Sequence, residues 1–259
     1  MNIEWRTGIG YGDFVTGLGY AHTSRLKYER PIDITFHWKD DKNHLYSPLD
    51  TETLFDRFQY IESIFKQTDG ITIHHKFNSN PKFRFYNQLD EFNPLHGLWY
   101  TNLEPQETKK KVVLWTTDFN IEFPGINKDP AHKHWLDIRA KLHMSGYDIY
   151  EVTYRTPIKQ VIRHINECEF GIGYDGLAHQ LFKFMWKPLI VFCKRKPLNS
   201  VLIPQAVLED NPKRFLDSNI KNYVRASQKR VEEVKQLHQN YISEKKDATK
   251  HELYNSFIY

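Results

Sequence analysis

The run Ile32-Asp33-Ile34-Thr35-Phe36-His37-Trp38 alternates apolar and polar residues, and its period of two predicts a strand. Leu54, Phe58, Ile61 and Phe65 recur at helical spacing instead, and Asp69-Gly70 closes that helix. Val112-Val113-Leu114-Trp115 is apolar throughout, the pattern of a buried strand. Around these anchors the chain predicts a short strand at Ile3–Arg6, a glycine-rich turn at Gly8-Ile9-Gly10-Tyr11-Gly12 and a helix from Asp13 to about Leu26. Ile71–Phe77 reads as a further strand. In the second half a helix is expected at about His134–Ser145, a strand at Asp148–Thr153 and a helix at Pro157–Cys168. A strand at Glu169–Gly173, a helix at Leu177–Met185 and a strand at Leu189–Cys193 follow, and the chain is charged and helical from Asn211.

Strands that alternate with helices imply βαβ units and parallel sheets. The alternation occurs twice, separated by the irregular, Asn-, Pro- and aromatic-rich stretch Asn78–Glu107. The expected fold class is therefore α/β, with two Rossmann-like domains at 1–107 and 108–210 and a C-terminal helical segment at 211–259. In such sheets a ligand crevice lies beyond the carboxyl ends of the strands, where both glycine-rich turns fall.

Composition narrows this picture only a little. The 259 residues are 40% hydrophobic and 26% charged, an ordinary globular balance that excludes a disordered or collagen-like chain. No apolar run approaches the ~18 residues of a membrane span, and Met1–Arg6 lacks the basic, apolar and small progression of a secretory leader. A cytoplasmic protein is expected. Cys168 and Cys193 are too few for a disulfide framework or a four-cysteine zinc site, and both lie in apolar elements, where an inert thiol is expected. Aromatics reach 15%, and the net charge of +4 favours anionic partners without naming one.

Five stretches could carry chemistry. In Gly8-Ile9-Gly10-Tyr11-Gly12-Asp13 the glycines allow a tight turn and close approach, and Asp13 stands at a helix start. Asp13 reads either as a general base or as an N-cap of its own helix. The glycines fall at every second position, so the dinucleotide fingerprint G-x-G-x-x-G is not met. In Phe170–His179 a strand runs through Tyr174, Asp175 and Gly176 into a helix opened by Leu177, Ala178 and His179. Free amides at that helix start form an anion site to which His179 can donate; the alternative is a plain turn capped by Asp175. Lys133, between His132 and His134, suits a diphosphate or stands in a solvated basic turn with Trp135 packed inward. Thr117, in Thr116-Thr117-Asp118 at a strand's carboxyl end, can hold phosphate or form a turn. The aromatics of Asn93–Tyr100 can stack on a sugar or base, or anchor a loop in the core. Asp40-Asp41 reads as a ribose or cation contact or as a solvated turn. The chain has no G-x-S-x-G elbow, Walker A sequence or H-E-x-x-H pair.

Taken in order, these residues resemble the donor-binding signature of glycosyltransferase family 9, the ADP-heptose:lipopolysaccharide heptosyltransferases of the GT-B superfamily. That signature is a strand, then Gly-x-Asp-(Ser/Thr)-Gly-x-x-His, a helix, Gly-Lys-Pro and a strand. Gly176-Leu177-Ala178-His179 matches Gly-x-x-His, and Trp186-Lys187-Pro188-Leu189-Ile190-Val191 matches the Lys-Pro and strand. Gly12-Asp13 matches the family's Gly-Asp, and Lys133-His134-Trp135 its Lys-x-Trp. The acid of the signature stands two residues before its glycine, where this chain has Tyr174, with Asp175 one position later. The resemblance covers about half the chain, mainly its C-terminal half.

The resemblance implies a GT-B-like fold in which 1–107 takes the acceptor and 108–210 the nucleotide-sugar donor across a cleft. Asp13 would be the base. Thr117, Lys133, Tyr174, Asp175, Gly176, Leu177, Ala178 and His179 would bind the donor, and Gly8, Gly10 and Gly12 would form the glycine-rich loop. It implies a metal-independent, inverting transfer with no cofactor beyond the nucleotide-sugar substrate. The acceptor stays open among saccharide, lipid-linked glycan and a modified DNA base. The rival expectation is a nucleotide- or nucleic-acid-binding module of the same fold without catalysis.

Overall fold

The computed structural model describes residues 1–8, 11–39, 52–65, 69–77, 94–104, 106–108, 110–116, 129–153, 155–174, 177–194 and 204–244. It is an α/β protein whose strands all run parallel within two sheets. The chain divides into two compact units, Met1–Asn102 with Gln236–Tyr259, and Leu103–Lys235.

In the first unit β1 (Asn2–Gly8), β2 (Ile32–Trp38) and β3 (Ile71–Lys76) pair in the order β1-β2-β3. Helix α1 (Tyr11–Tyr28) joins β1 to β2, and α2 (Leu54–Ile64) lies between β2 and β3. The start of α2 is fixed by a capping box: the Asp56 amide donates to Thr53 Oγ1 at 3.1 Å, and the Thr53 amide to Asp56 Oδ2 at 2.7 Å. Ile34 pairs with Ile3 and Ile73, and Phe36 with Trp5 and His75, so one face of the sheet is apolar and aromatic. Phe14 of α1 packs edge-on against Phe36, and Phe58 of α2 stacks on Trp38 with ring centroids 4.2 Å apart. On the opposite face Asn2, Glu4, Asp33, Thr72, His74 and Lys76 are exposed. The alternation along β2 thus encodes one covered face and one polar face among the described residues.

The second sheet is built differently. Here β4 (Lys111–Trp115), β5 (Asp148–Val152), β6 (Phe170–Tyr174), β7 (Leu189–Phe192) and β8 (Val207–Glu209) take the order β5-β4-β6-β7-β8. Helices α3 (Trp135–Met144), α4 (Ile158–Glu167) and α5 (Leu177–Phe184) connect the first four strands; α6 (Pro212–Asp217) and α7 (Ile220–Ser243) follow β8. Every residue of β6 and β7 is buried. On one face Trp135 of α3 and Phe215 of α6 meet the Phe192 ring edge-on. On the other, Phe182 of α5 fills the space left by Gly171, where a Cβ would lie 2.3 Å from its ring. Helix α3 stops at Gly146, whose φ of 75° is the left-handed conformation that ends a helix and favours glycine. Strand β8 was not expected from the sequence; three residues are too few to display a period.

The helical C-terminal stretch is two helices. Asn211 caps α6 through Oδ1, accepting from the Lys213 amide at 3.1 Å. The buried positions of α7 are Ile220, Val224, Ser227, Val231, Val234, His238 and Tyr241, alternating steps of four and three. Its residues through Lys235 belong to the second unit, and those from Gln236 to the first. Among the described residues no helix is long and apolar enough to cross a membrane. Both cysteines are free and buried, and burial pushes the Cys168 thiol up to about 12, so it stays protonated and unreactive.

Candidate functional site

The five-stranded sheet changes direction at β4. From there the chain passes through α3 to β5 on one side, then through α4 to β6 on the other. Where strand order reverses, the helices leave toward opposite faces and a crevice opens outside the carboxyl ends of the two central strands. Those strands are β4 and β6, with Trp115 paired to Gly173. They lead into Thr117 and into the Asp175–His179 segment, so the fold brings two of the five candidate stretches to neighbouring strand ends. Thr117, Asp175 and Gly176 themselves lie outside the described residues, as do Gly10, Asp118 and Asp40-Asp41.

Leu177, Ala178 and His179 are the first three residues of α5. Their amides belong to the turn whose N–H groups find no partner inside the helix, and the helix dipole adds partial positive charge there. Tyr174, the last residue of β6, is 3% exposed and its ring stacks on Trp115 with centroids 6.2 Å apart. Its side chain is thus part of the packing that supports the edge. Lys183 follows one turn after His179 on α5, is 1% exposed, and burial pushes its ammonium down to about 7. A lysine inside the apolar run Leu181-Phe182-Lys183-Phe184 was the available signal for it.

The β4 end carries a second polar group. Thr116 is buried and its hydroxyl donates to Glu151 Oε1 at 3.3 Å. Arg139 of α3 holds the same carboxylate through both Nη2 and Nε, the latter 3.3 Å from Oε2. Thr116 is therefore committed within the protein rather than left as an open phosphate ligand. Arg139 and Glu151 stand on different elements, and no sequence spacing pairs them.

Lys133 is exposed in a 3-10 turn, His132–His134, that leads directly into α3. A buried carboxylate builds that turn: Asp129 Oδ1 accepts from the Ala131 amide at 2.8 Å, and Oδ2 accepts from Trp135 Nε1 at 2.7 Å. Trp135 packs inward at 1% exposure, so Lys133 stands in a basic turn with a firm base. The dipeptide Asp129-Pro130 ahead of the helix was the local signal for this turn.

In the first unit Gly8 is the last residue of β1, at a register shift that pairs it with Trp38. Helix α1 begins at Tyr11, two residues earlier than expected, so Gly12 and Asp13 lie inside its first turn. Asp13 is consequently the third helical residue and not the N-cap, although its carboxylate still complements the dipole. Its carbonyl accepts from Trp5 Nε1 at 2.7 Å, tying the helix start to β1, and the Gly12 carbonyl accepts from Thr16 Oγ1 of the same helix at 2.8 Å. Within Asn93–Tyr100, Leu98 and Trp99 are fully buried and Trp99 Nε1 donates to the Val15 carbonyl at 3.2 Å. Residues 95–99 are buried, so the tryptophan is held in the core rather than presented for stacking, and Asn93 lies outside the described residues.

Trp186, at the end of α5, holds a φ of 52°. A bulky residue is strained in this left-handed region, which glycine occupies freely. No protein-family model matches this chain, and no curated protein matches it.

Proposed function

We propose that the chain is a GT-B-type glycosyltransferase moving a sugar from a nucleotide-sugar to an acceptor hydroxyl, with inversion and without a metal ion. The observation that carries this reading is the strand reversal between β4 and β6, with α5 opening directly after it. A diphosphate at that edge meets the amides of Leu177 and Ala178, with His179 and Lys133 as cationic or hydrogen-bonding partners. The left-handed Trp186 adds support, because it occupies the position where the family 9 signature carries glycine.

In this reaction the acceptor oxygen attacks the anomeric carbon as the bond from that carbon to the diphosphate oxygen breaks. Charge develops on the departing diphosphate, and donors fixed in place before the reaction stabilise it there. That supply of charge removes the need for a divalent cation. Asp13 takes the proton of the acceptor hydroxyl.

A thermal-shift panel of UDP, GDP, ADP, CMP and their sugars, each with and without a chelator, tests the reading. One nucleoside diphosphate should raise Tm with chelator present, and His179→Ala should reduce that shift. No shift with any of them removes the nucleotide from the site. A shift accompanied by salt-sensitive DNA or RNA binding and no sugar turnover leaves a binding module in place of an enzyme.

A further inference from the structure

Three stretches distant in sequence meet in a buried polar cluster of the first unit. Helix α1 contributes His22, Thr23, Ser24 and Lys27, the segment after Pro94 contributes His96 and Tyr100, and the end of α7 contributes His238 and Tyr241. His96 and His238 are 3% and 0% exposed. Both nitrogens of each ring face hydroxyls. His96 Nε2 lies 2.7 Å from Ser24 Oγ and Nδ1 2.9 Å from the Tyr241 hydroxyl. His238 Nε2 lies 3.1 Å from Thr23 Oγ1 and Nδ1 3.5 Å from the Tyr100 hydroxyl.

The protons can be assigned by counting. Thr23 gives its single proton to the Leu98 carbonyl at 3.0 Å, so its oxygen accepts from His238 Nε2–H. Burial opposes a second proton on that ring, which leaves Nδ1 as the lone-pair side, toward Tyr100. The surroundings oppose a positive charge on either imidazole. Lys27 Nζ sits 3.4 Å above the Tyr241 ring and donates to the Tyr241 carbonyl at 3.3 Å. Burial is the larger cause for both rings; Lys27 adds repulsion to a proton on His96, as would a proton on His238, and a charged His22 would repel one on His238. The rings of Tyr20 and Tyr28 complete the wall around His96.

We propose that this cluster is an acid-weakened clasp: as pH falls toward 5 the stretch Gln236–Ser243 opens more readily from α1 and the segment after Pro94, while the β1–β3 sheet stays folded. Burial holds both imidazoles down at about 3, against an ordinary value of 6.5. The docked state therefore binds no proton where the released state binds two. Docking is at full strength above pH 6.5 and weakens as pH falls toward 3. Between pH 7 and pH 5 each histidine multiplies the released population by about 25-fold, and the pair by several hundred-fold.

Amide hydrogen exchange on the full chain at pH 7 and pH 5, divided by intrinsic rates, tests this. Protection across Gln236–Ser243 should fall by about 50-fold or more, with the β1–β3 amides keeping theirs. Unchanged protection of the helix end at pH 5, or loss in step with the sheet, overturns the clasp. The double variant His96→Gln/His238→Gln keeps hydrogen-bonding groups that do not titrate here, and its helix end should lose the pH dependence. If that variant does not fold, the wild-type pair of measurements decides alone.

Discussion

The two sheets follow the same βαβ grammar and end in different places. In β1-β2-β3 each new strand adds on the same side, and the described helices that pack on it meet its apolar face. In β5-β4-β6-β7-β8 the direction reverses after one step, α3 and α5 pack on opposite faces, and every residue of β6 and β7 is buried. A parallel sheet acquires a crevice of this kind from reversal, not from the number of its strands. The reversal also explains why β6 is rich in glycine: a strand packed on both faces needs room, and Gly171 yields that room to Phe182. The alternating strands of the first unit need no such relief on their polar side.

The largest expected effect separates one covered face from two. Ile190 and Val191 are neighbours on β7 and point to opposite faces, and both are fully buried. Ile190→Asp and Val191→Asp should each cost about 4 kcal/mol or more, because each places an unpaired carboxylate in a packed interior. Urea unfolding followed by tryptophan fluorescence measures both. On β3, Ile71→Asp should fail in the same way, whereas its exposed neighbour Thr72→Lys should stay within about 0.5 kcal/mol of wild type. Tolerance of Val191→Asp, or collapse with Thr72→Lys, would erase the distinction.

The functional division comes next. If the five-stranded sheet holds the donor and α1 supplies the base, Asp13→Ala should lower sugar transfer by about 10²–10⁴-fold. The thermal shift caused by the nucleoside diphosphate should not change. Equal transfer by the variant takes Asp13 out of the chemistry, and a lost shift moves the donor toward the first unit.

A packing effect of intermediate size belongs to the first unit. A Cβ on Gly19 of α1 would lie 2.2 Å from the carbonyl oxygen of Gly97, which is backbone and cannot rotate away. Gly19→Ala should cost about 3 kcal/mol and lower Tm by roughly 6–12 °C. Gly171→Ala in β6 should cost less than Gly19→Ala, because the Phe182 ring it meets can shift. The reverse order would show the second sheet to be the less yielding of the two.

Much of this architecture was legible in the chain because period and burial are the same fact seen twice. Ile32–Trp38 alternates since β2 has one covered face, and Val112–Trp115 and Leu189–Phe192 do not since β4 and β7 have two. The strand order was not legible, because reversal at β4 depends on crossovers and not on any residue within the strand. The clusters of Arg139 with Glu151 and of His96 with His238 join residues from separate elements, where local spacing carries no signal. One trace existed: His238 and Tyr241 continue the four-and-three stripe of Val231 and Val234 on α7, so two polar residues occupy positions that packing claims.

The smallest effect compares the two turns that open helices in the two units. Thr53 and Asp56 cap α2 at the surface, where water replaces a lost bond, and Thr53→Ala should cost about 1 kcal/mol. Asp129 serves the turn before α3 from a buried position, and its loss strands the Ala131 amide and the Trp135 indole N–H. Asp129→Ala should therefore cost about 2 kcal/mol, and Asp129→Asn, which keeps one acceptor, about half of that. The carboxylate also carries its own burial penalty, which works against this order. Should Asp129→Ala prove no worse than Thr53→Ala, that penalty cancels the two hydrogen bonds and Trp135 packing alone fixes the turn. The nucleotide response then distinguishes the two arrangements, since a turn fixed by Asp129 should lose Lys133's contribution to the diphosphate shift when Asp129 is removed, and a turn fixed by Trp135 should keep it.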